Sequence, residues 1–180
     1  MVFPELQTDR TVLRQFQKSD INYVYQGLSD PEIIRYYEVS YTSLEHTKEQ
    51  IQWFSSLEKE GTGIWWAIWD KKEHRFLGAA GFNDMHKEHK KAEIGFWLLQ
   101  ENWGKGIIPE VVPKLLDYVF NTRKFHRIEA YVESENENSK KALSKLNFQF
   151  EGCMRESEYK NGKFIDVEIY AILNTDGNTK

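Results

Sequence analysis

The stretch Gln100-Glu101-Asn102-Trp103-Gly104-Lys105-Gly106-Ile107 joins a predicted strand, residues 92–99, to a predicted helix. The helix is predicted because apolar side chains recur on one helical face, at Ile108, Val111, Val112, Leu115 and Val119. Glycines let a ligand approach the backbone closely, and the first N–H groups of a helix have no partner within it. The stretch therefore predicts an anion site at a helix N-terminus.

Gly104-Lys105-Gly106 on its own also fits an ordinary tight turn before a helix. It is not a dinucleotide fingerprint, because Pro109 stands where the third glycine is required. It is not a P-loop either, because Lys105 is followed by Gly106 rather than by Ser or Thr. The rest of the sequence must decide which anion is bound.

Composition limits the classes of protein that this chain can belong to. With 180 residues, 40% of them hydrophobic and 29% charged, it can bury one substantial core. A net charge of −4 argues against duplex nucleic acid as a partner. The start lacks a signal-peptide pattern and the longest apolar run, residues 64–69, cannot span a bilayer, so we expect a cytoplasmic protein without membrane contact.

The single cysteine, Cys153, excludes an intrachain disulfide and a cysteine-rich zinc site. We expect it to be a buried, unreactive thiol, because it lies in a predicted strand with apolar neighbours. His86 and His89 have no third ligand nearby in the sequence, so no metal site is predicted.

Hydrophobic periodicity and turn residues predict one mixed α/β domain over residues 1–173, followed by a short polar tail at 174–180. Gly95, inside a strand, indicates a bulge or a close approach to the backbone. The predicted strands lie at 11–16, 64–69, 75–82, 92–99, 127–133 and 166–173. The predicted helices lie after Ser19-Asp20, at 31–36, at 44–60, from 108 onward and at 139–146.

Four segments, in content, order and spacing, resemble the GNAT acetyltransferase superfamily: Glu93-Ile94-Gly95-Phe96, Trp103-Gly104-Lys105-Gly106, Asn136-Glu137-Asn138-Ser139 and Phe150-Glu151-Gly152. The carboxyl-terminal segments are similar to RimJ/RimL-type enzymes, which acetylate the N-termini of ribosomal proteins: Glu151-Gly152-Cys153-Met154-Arg155, Glu158-Tyr159-Lys160-Asn161-Gly162 and Asp166-Val167. The resemblance implies the α/β GNAT fold, with a mixed central sheet, a splayed parallel strand pair and flanking helices.

The resemblance implies acetyl-CoA as co-substrate. Its pyrophosphate would lie on the backbone of Trp103, Gly104, Lys105, Gly106 and Ile107. Its pantetheine arm would run beside Phe96, Trp97 and Leu98, where the strand splays from its parallel neighbour. Asn136 would contact the cofactor or its loop, although an Asx-turn explains this residue as well.

The same resemblance implies catalytic roles. Glu158 matches the general base of RimL-like enzymes, and Glu93 matches the base of other GNAT branches. Ser139 would donate a hydrogen bond or a proton to the CoA sulfur, or else cap the helix at 140–146. Tyr159 could act as an acid, although packing is the simpler role. Each carboxylate could also be an ordinary surface group.

Three residues depart from the family pattern. Glu101 stands where Gln or Arg is frequent and would weakly repel phosphate. Pro113 lies inside a predicted helix, which we expect to kink there. Asn147 replaces a frequent glycine, and asparagine tolerates a left-handed helix end.

The acceptor is implied to be a primary amine, either a protein N-terminus or a small amine such as a polyamine, an aminoglycoside or an aminoacyl nucleotide. Tyr36, Tyr37, Tyr41 and Trp53 could form core or an aromatic wall around it. A non-catalytic acyl-CoA-binding module is a further alternative, and the sequence leaves a homodimer open.

Overall fold

The run Ile64-Trp65-Trp66-Ala67-Ile68 is buried along its whole length, so both faces of the strand that contains it must be covered. In a computed structural model, which describes residues 2–37 and 39–176, this strand lies inside an eight-stranded sheet. Helices cover both faces of that sheet. The α/β fold predicted from the sequence is confirmed.

The strands are β1 Leu6–Gln7, β2 Thr11–Gln15, β3 Ile64–Asp70, β4 Phe76–His86, β5 Lys91–Leu98, β6 Arg127–Glu133, β7 Gln149–Lys160 and β8 Lys163–Leu173. Their order in the sheet is β1-β2-β3-β4-β5-β6-β8-β7. The β5–β6 pair is parallel and the other neighbouring pairs are antiparallel. The α-helices are α1 Ile21–Leu28, α2 Pro31–Ile34, α3 Leu44–Glu60, α4 Ile107–Asp117 and α5 Glu137–Lys145.

Alternation along β3 divides the core into two layers. Trp65 and Ala67 pack with residues of α1, α2 and α3 on one side, here called the α1–α3 face. Trp66 and Ile68 pack with α4 and α5 on the other side, the α4–α5 face. Trp66 is fully buried and its indole N–H donates to the Pro4 carbonyl at 2.7 Å. Burial of such a side chain contributes about 2–3 kcal/mol to folding.

Local sequence signals set several element boundaries as expected. Helix α3 ends at Gly61, which has a φ of 70° and the left-handed conformation that glycine favours. Asn161 and Gly162 have φ angles of 51° and 81°, so they form the two-residue turn between β7 and β8. Asn147 ends α5 with a φ of 64°, as the tolerance of asparagine for this conformation predicts.

Two features of the sheet differ from the expectations. Gly95 lies in regular register opposite Gly81, so the predicted bulge at Gly95 is absent. The alternative, a close approach, is observed: a Cβ on Gly95 would lie 2.9 Å from the ring of Trp65. Cys153 is exposed rather than buried, because β7 is the last strand of the sheet and carries few contacts outside β8.

Helix α4 runs through Pro113 to Asp117 and continues as a π-helical turn, Tyr118–Thr122. Proline has no N–H, so the carbonyl one turn earlier loses its helical donor. The kink expected at Pro113 stays a prediction.

Candidate active site

Strands β5 and β6 pair over only three positions before they separate. Lys91 pairs with Arg127, and the last pair is Glu93 with Glu129. Beyond that point β5 continues beside β4, and β6 continues beside β8 to Glu133. The separated segments, residues 94–98 and 130–133, form an opening that we call the V-shaped cleft, with its apex at Glu93. The predicted splayed parallel pair is therefore present.

The glycine loop lies at the wide end of this cleft, between β5 and α4. Gly104 and Gly106 have φ angles of 72° and 74°, and Gly106 is the N-cap residue of α4. Among the described residues, the backbone N–H groups of Gly104, Lys105 and Gly106 find no acceptor. With the first N–H groups of α4, they provide donors and a positive helix end for an anion.

Asn102 and Trp103 hold this loop against the sheet. Asn102 is fully buried, and its side-chain amide donates to the Leu77 carbonyl at 3.1 Å. The indole N–H of Trp103 donates to the Leu98 carbonyl at 2.9 Å. Trp103 was predicted as part of the site, whereas Asn102 was not singled out. A polar residue directly before the glycine motif was the only signal for it.

The three residues predicted beside the pantetheine arm lie on the cleft edge of β5. Trp97 and Leu98 are buried at 5% and 7% exposure, and Phe96 packs partly against the α4–α5 core. Their side chains therefore belong to the two cores, so only backbone groups of this segment can face the cleft. Leu99 donates to the Leu77 carbonyl, so in the antiparallel ladder Trp97 pairs with Ala79 through its backbone and offers no group to the cleft. The Leu98 carbonyl is already bound by Trp103, which leaves the backbone of Phe96 and the Leu98 N–H on the cleft edge.

Asn136 and Ser139 meet at the start of α5, shortly after β6 ends at the wide end of the cleft. Asn136 is the N-cap residue, and its Oδ1 accepts a hydrogen bond from the backbone N–H of Ser139 at 3.1 Å. The alternative in which Ser139 caps this helix is therefore wrong, because Ser139 occupies the third helical position. Its hydroxyl makes no hydrogen bond to any part of the chain that the structure describes.

Glu93 lies on the α1–α3 face at the apex of the cleft. It shares that face with Gly95 and Trp97, since alternate residues of a strand point the same way and Trp97 belongs to the α1–α3 core. Its partner Glu129 lies on the same face.

Glu158 lies on this face too, but on β7, which β8 separates from β6. Glu129 is level with Ala171 of β8, whereas Glu158 pairs with Ile165. Ile165 and Ala171 are on one face because they are separated by an even number of residues. Ile165 lies two residues beyond Val167, the β8 partner of the last β6 residue, Glu133, so Glu158 lies past the end of β6 and the two candidate bases are separated along the strand direction.

Tyr159 points to the opposite face from Glu158. It pairs with Phe164, and the two rings meet edge to face at 5.1 Å between centroids. Tyr159 is 67% exposed. Packing against Phe164 is its observed contact, and the role as an acid stays a prediction.

A network of charges surrounds Glu129 beside the apex. Arg127 Nε lies 2.7 Å and Lys91 Nζ 3.0 Å from the Glu129 carboxylate. Burial opposes ionisation of Glu129, but the hydrogen bonds from Arg127 and Lys91 outweigh it and lower the pKa of this carboxyl. The Arg127 guanidinium also binds Glu151. Glu129 therefore stays ionised, and a carboxylate held by two cations is a poor proton acceptor.

Trp65 and two of the predicted aromatic residues line the α1–α3 side of the cleft. The Trp65 indole donates to Asn83 Oδ1 at 2.7 Å, which fixes the ring over Gly95. The Tyr37 hydroxyl lies 3.8 Å from the position of a Cβ on Gly95. Trp53 is 38% exposed and lies 6.1 Å from Trp65. An aromatic wall is thus present there, with Trp65 as a member that the sequence did not identify.

The other two predicted aromatics lie elsewhere. The Tyr41 hydroxyl donates to Gln50 at 2.9 Å within the α1–α3 core, and burial raises the pKa of this phenol. The Tyr36 hydroxyl donates to the Glu135 carbonyl at 3.3 Å, beyond the end of β6.

Lys160 links three segments at the wide end of the cleft. Its ammonium lies 2.5 Å from Glu133 and donates to the Arg35 carbonyl at 2.9 Å. The segment after α2 is thereby held against β6 and β7. A cavity of about 230 Å³ lies beside these contacts, and its lining includes four carboxylates and two apolar side chains. The lining residues are Glu133, Ser134, Glu135, Glu156, Phe164, Ile165 and Asp166.

Within residues 2–37 and 39–176, no group of His, Cys, Asp and Glu side chains is arranged to hold a metal ion. No helix in that part of the chain is long and apolar enough to cross a bilayer.

Comparison with known proteins agrees with this geometry. Residues 10–149 match the model of the acetyltransferase (GNAT) domain. The chain is 36% identical to the uncharacterized N-acetyltransferase YoaA of Bacillus subtilis, over 96% of this chain and 98% of that protein. It is 27% identical to the ribosomal-protein-serine acetyltransferase of Escherichia coli, over 83% of this chain and 78% of that protein.

Among solved structures, the ribosomal L7/L12 α-N-protein acetyltransferase RimL in complex with coenzyme A superposes with a TM-score of 0.86. That comparison covers 94% of this chain and 98% of the other, at 24% identity. The splayed strand pair, the glycine loop at a helix start and the domain match lead to one assignment: the chain belongs to the GNAT acetyltransferase family and uses acetyl-CoA as its acetyl donor.

Proposed function

We propose that this protein transfers the acetyl group of acetyl-CoA to the α-amino group of a protein N-terminus. The observation that carries the proposal is the V-shaped cleft, which ends at a glycine loop whose N–H donors have no acceptor in the part of the chain that the structure describes. The E. coli relative, named for a ribosomal-protein serine, supports this acceptor class at 27% identity.

The cofactor in this proposal lies along the cleft. Its pyrophosphate accepts hydrogen bonds from the backbone between Trp103 and Ile107, and Lys105 adds long-range attraction. Its pantetheine amides pair with the backbone of Phe96 and the Leu98 N–H, which face the cleft where β5 has lost β6 as a neighbour, whereas Trp97 lines this segment without a free backbone group. The thioester then lies in the cleft between the α5 N-terminus on one face and the carboxylates on the other.

Glu158 is our first choice for the general base. The acceptor amine must lose a proton before its nitrogen attacks the thioester carbonyl, and an α-amino group with a pKa of about 8 needs only a modest base. Glu158 takes that proton, directly or through water. Glu93, at the apex, is the alternative, and the different positions of the two residues make the assignment testable.

Ser139 is proposed to assist the leaving group. When the tetrahedral intermediate collapses, the C–S bond breaks and the departing sulfur needs a proton or a hydrogen bond. The Ser139 hydroxyl is available because its backbone, not its side chain, makes the capping contact with Asn136. Asn136 therefore positions Ser139 in this scheme rather than contacting the sulfur.

The acidic surroundings of the wide end favour a cationic acceptor. Glu156 and Asp166 line the cavity there with no lysine partner among the described residues, while Glu133 and Glu135 are paired with Lys160 and Lys163. A positive N-terminal peptide would be attracted to this surface. A small polyamine would be attracted as well, so charge alone does not choose between them.

Free-thiol release over a panel of acceptors tests the proposal. Peptides with free Ser, Ala or Met N-termini are compared with the same peptides blocked at the N-terminus and with spermidine and an aminoglycoside. We expect turnover with free peptides only. Turnover confined to small amines would reject protein N-termini as the acceptor in favour of small amines. CoA binding without turnover on any amine would favour the non-catalytic alternative.

A further inference from the structure

Arg10, between β1 and β2, contacts the glycine loop from the side of the sheet edge. Its Nη1 donates to the Lys105 carbonyl at 3.0 Å, and its Nη2 donates to the Gly106 carbonyl at 3.1 Å. The two residues are remote in sequence from Arg10, so the contact is made by the fold. The guanidinium thus bridges two successive carbonyl groups of the loop.

Glu110, in the first turn of α4, fixes this guanidinium in turn. One carboxylate oxygen lies 2.5 Å from Arg10 Nε, and the other accepts from the Arg10 backbone N–H at 2.9 Å. Thr8 also donates to this carboxylate. Burial opposes ionisation of Glu110, but these hydrogen bonds outweigh it and lower its pKa, so the partner of Arg10 remains charged.

Because of peptide geometry, these contacts also determine where the N–H groups on the opposite side of the loop point. Peptide bonds are planar, and the described residues contain no cis bond, so each carbonyl oxygen points away from the N–H of the same peptide. Holding the carbonyls of Lys105 and Gly106 therefore fixes the direction of the N–H groups of Gly106 and Ile107. These N–H groups point away from Arg10, and they are donors of the proposed pyrophosphate site.

We propose that Arg10 is a positioning residue for acetyl-CoA: it orients the loop N–H groups and neutralises the partial negative charge of two carbonyls close to the pyrophosphate. This inference rests on the cofactor placement proposed above. An arginine suits the role because its planar fork donates to two acceptors at once, which a lysine ammonium on a flexible stem does with less order. Arg10 itself touches the loop, not the cofactor.

Calorimetric titration of Arg10→Met and Arg10→Lys with CoA and with dephospho-CoA tests the proposal. We expect Arg10→Met to weaken both ligands by about tenfold and by the same factor, since the pyrophosphate is common to both. Arg10→Lys should recover little of the loss, because its charge remains but the fork does not. If Arg10→Met does not fold, Arg10→Lys alone carries the comparison.

Two further measurements separate positioning from other roles. Turnover of S-acetylpantetheine, which lacks the pyrophosphate, should be unchanged in the Arg10 variants. Arg14→Met is the matched control: Arg14 on β2 binds the buried Asp20 at 2.8 Å, and none of its hydrogen bonds in the described structure goes to the loop, so its loss should lower stability without changing CoA affinity.

Several outcomes would overturn the role of Arg10. Weaker binding of CoA but not of dephospho-CoA would make Arg10 a direct contact of the 3′-phosphate. An equal loss with S-acetylpantetheine would make it a residue of the fold alone. If Arg10→Met binds CoA normally and Gly104→Val binds it weakly, Arg10 has no role in binding but the cofactor placement stands. If Gly104→Val also binds CoA normally, the placement itself is rejected.

Discussion

Asn136 Oδ1 accepts a hydrogen bond from the backbone N–H of Ser139, and this bond is the N-terminal cap of α5. The contact fixes the first turn of the helix that carries Ser139. It also gives the two motif residues different roles. Asn136 caps the helix with its side chain, whereas Ser139 contributes only its backbone N–H to the cap and keeps its hydroxyl available.

Asn136→Ala should lower both stability and activity. Loss of an N-cap costs about 1 kcal/mol of the free energy of unfolding, and the Ser139 hydroxyl would no longer be held in place. Urea denaturation measures the first effect and steady-state kcat the second. Asn136→Asp keeps a capping oxygen and should restore stability; a variant Asn136→Ala of unchanged stability would show that the cap is not formed.

Ser139→Ala should affect catalysis without affecting the fold. The cap uses the Ser139 backbone, so the free energy of unfolding should stay within about 0.5 kcal/mol of the parent. The affinity for CoA should be unchanged, while kcat falls at least tenfold if the hydroxyl assists the leaving thiolate. Full activity in this variant would remove Ser139 from the mechanism.

Glu158→Gln and Glu93→Gln distinguish the two candidate bases. Loss of a general base typically lowers kcat by about 10²-fold or more, and it also removes the acid limb of the pH–rate profile. We expect this loss in Glu158→Gln at unchanged CoA affinity, with Glu93→Gln as the matched carboxylate on the same face. The reverse pattern would transfer the assignment to Glu93.

Gly104→Val should impair CoA binding selectively. Gly104 has a φ of 72°, which costs a β-branched residue about 1–2 kcal/mol, and a side chain there would enter open space beside the loop donors. Gly152→Val is the control, since Gly152 also faces open space but needs no positive φ. Calorimetry with CoA is the measurement, and equal affinities in the two variants would contradict the proposed site.

The sequence predicted the elements whose signals are local. Helix α3 and the hairpin of β3 and β4 follow from apolar periodicity and from a turn or glycine at their ends, and these lie within the segments themselves. The burial of Cys153 was predicted wrongly for the opposite reason. Its neighbours are apolar, but whether β7 is an inner or an edge strand depends on the order of the whole sheet.

The candidate site divides in the same way. The glycine loop and the Asn136/Ser139 motif were visible as short patterns, whereas the bridge from Arg10 to Lys105 joins residues that are 95 positions apart. No local pattern encodes such a contact. The cap of α5 was likewise predicted at the wrong residue: Ser139 was the candidate, but asparagine and serine are both favoured at that position and only the observed helix start selects Asn136.

Acid should destabilise the protein partly through Glu129. The pKa of this carboxyl is lowered below its ordinary value of 4.5, so below that value the unfolded chain takes up a proton before the folded chain does. The contribution is therefore complete at neutral pH and is lost as the pH falls below about 4.5 through the folded pKa. Glu129→Gln should lower stability at pH 7 and flatten its dependence on pH in the acid range, as measured by urea midpoints. At low pH the protonated Glu129 is uncharged, as Gln is, and neither can neutralise Arg127 and Lys91. The stability of the two proteins should therefore converge there. A constant difference between them at every pH would show that packing, rather than charge, accounts for the effect of this residue.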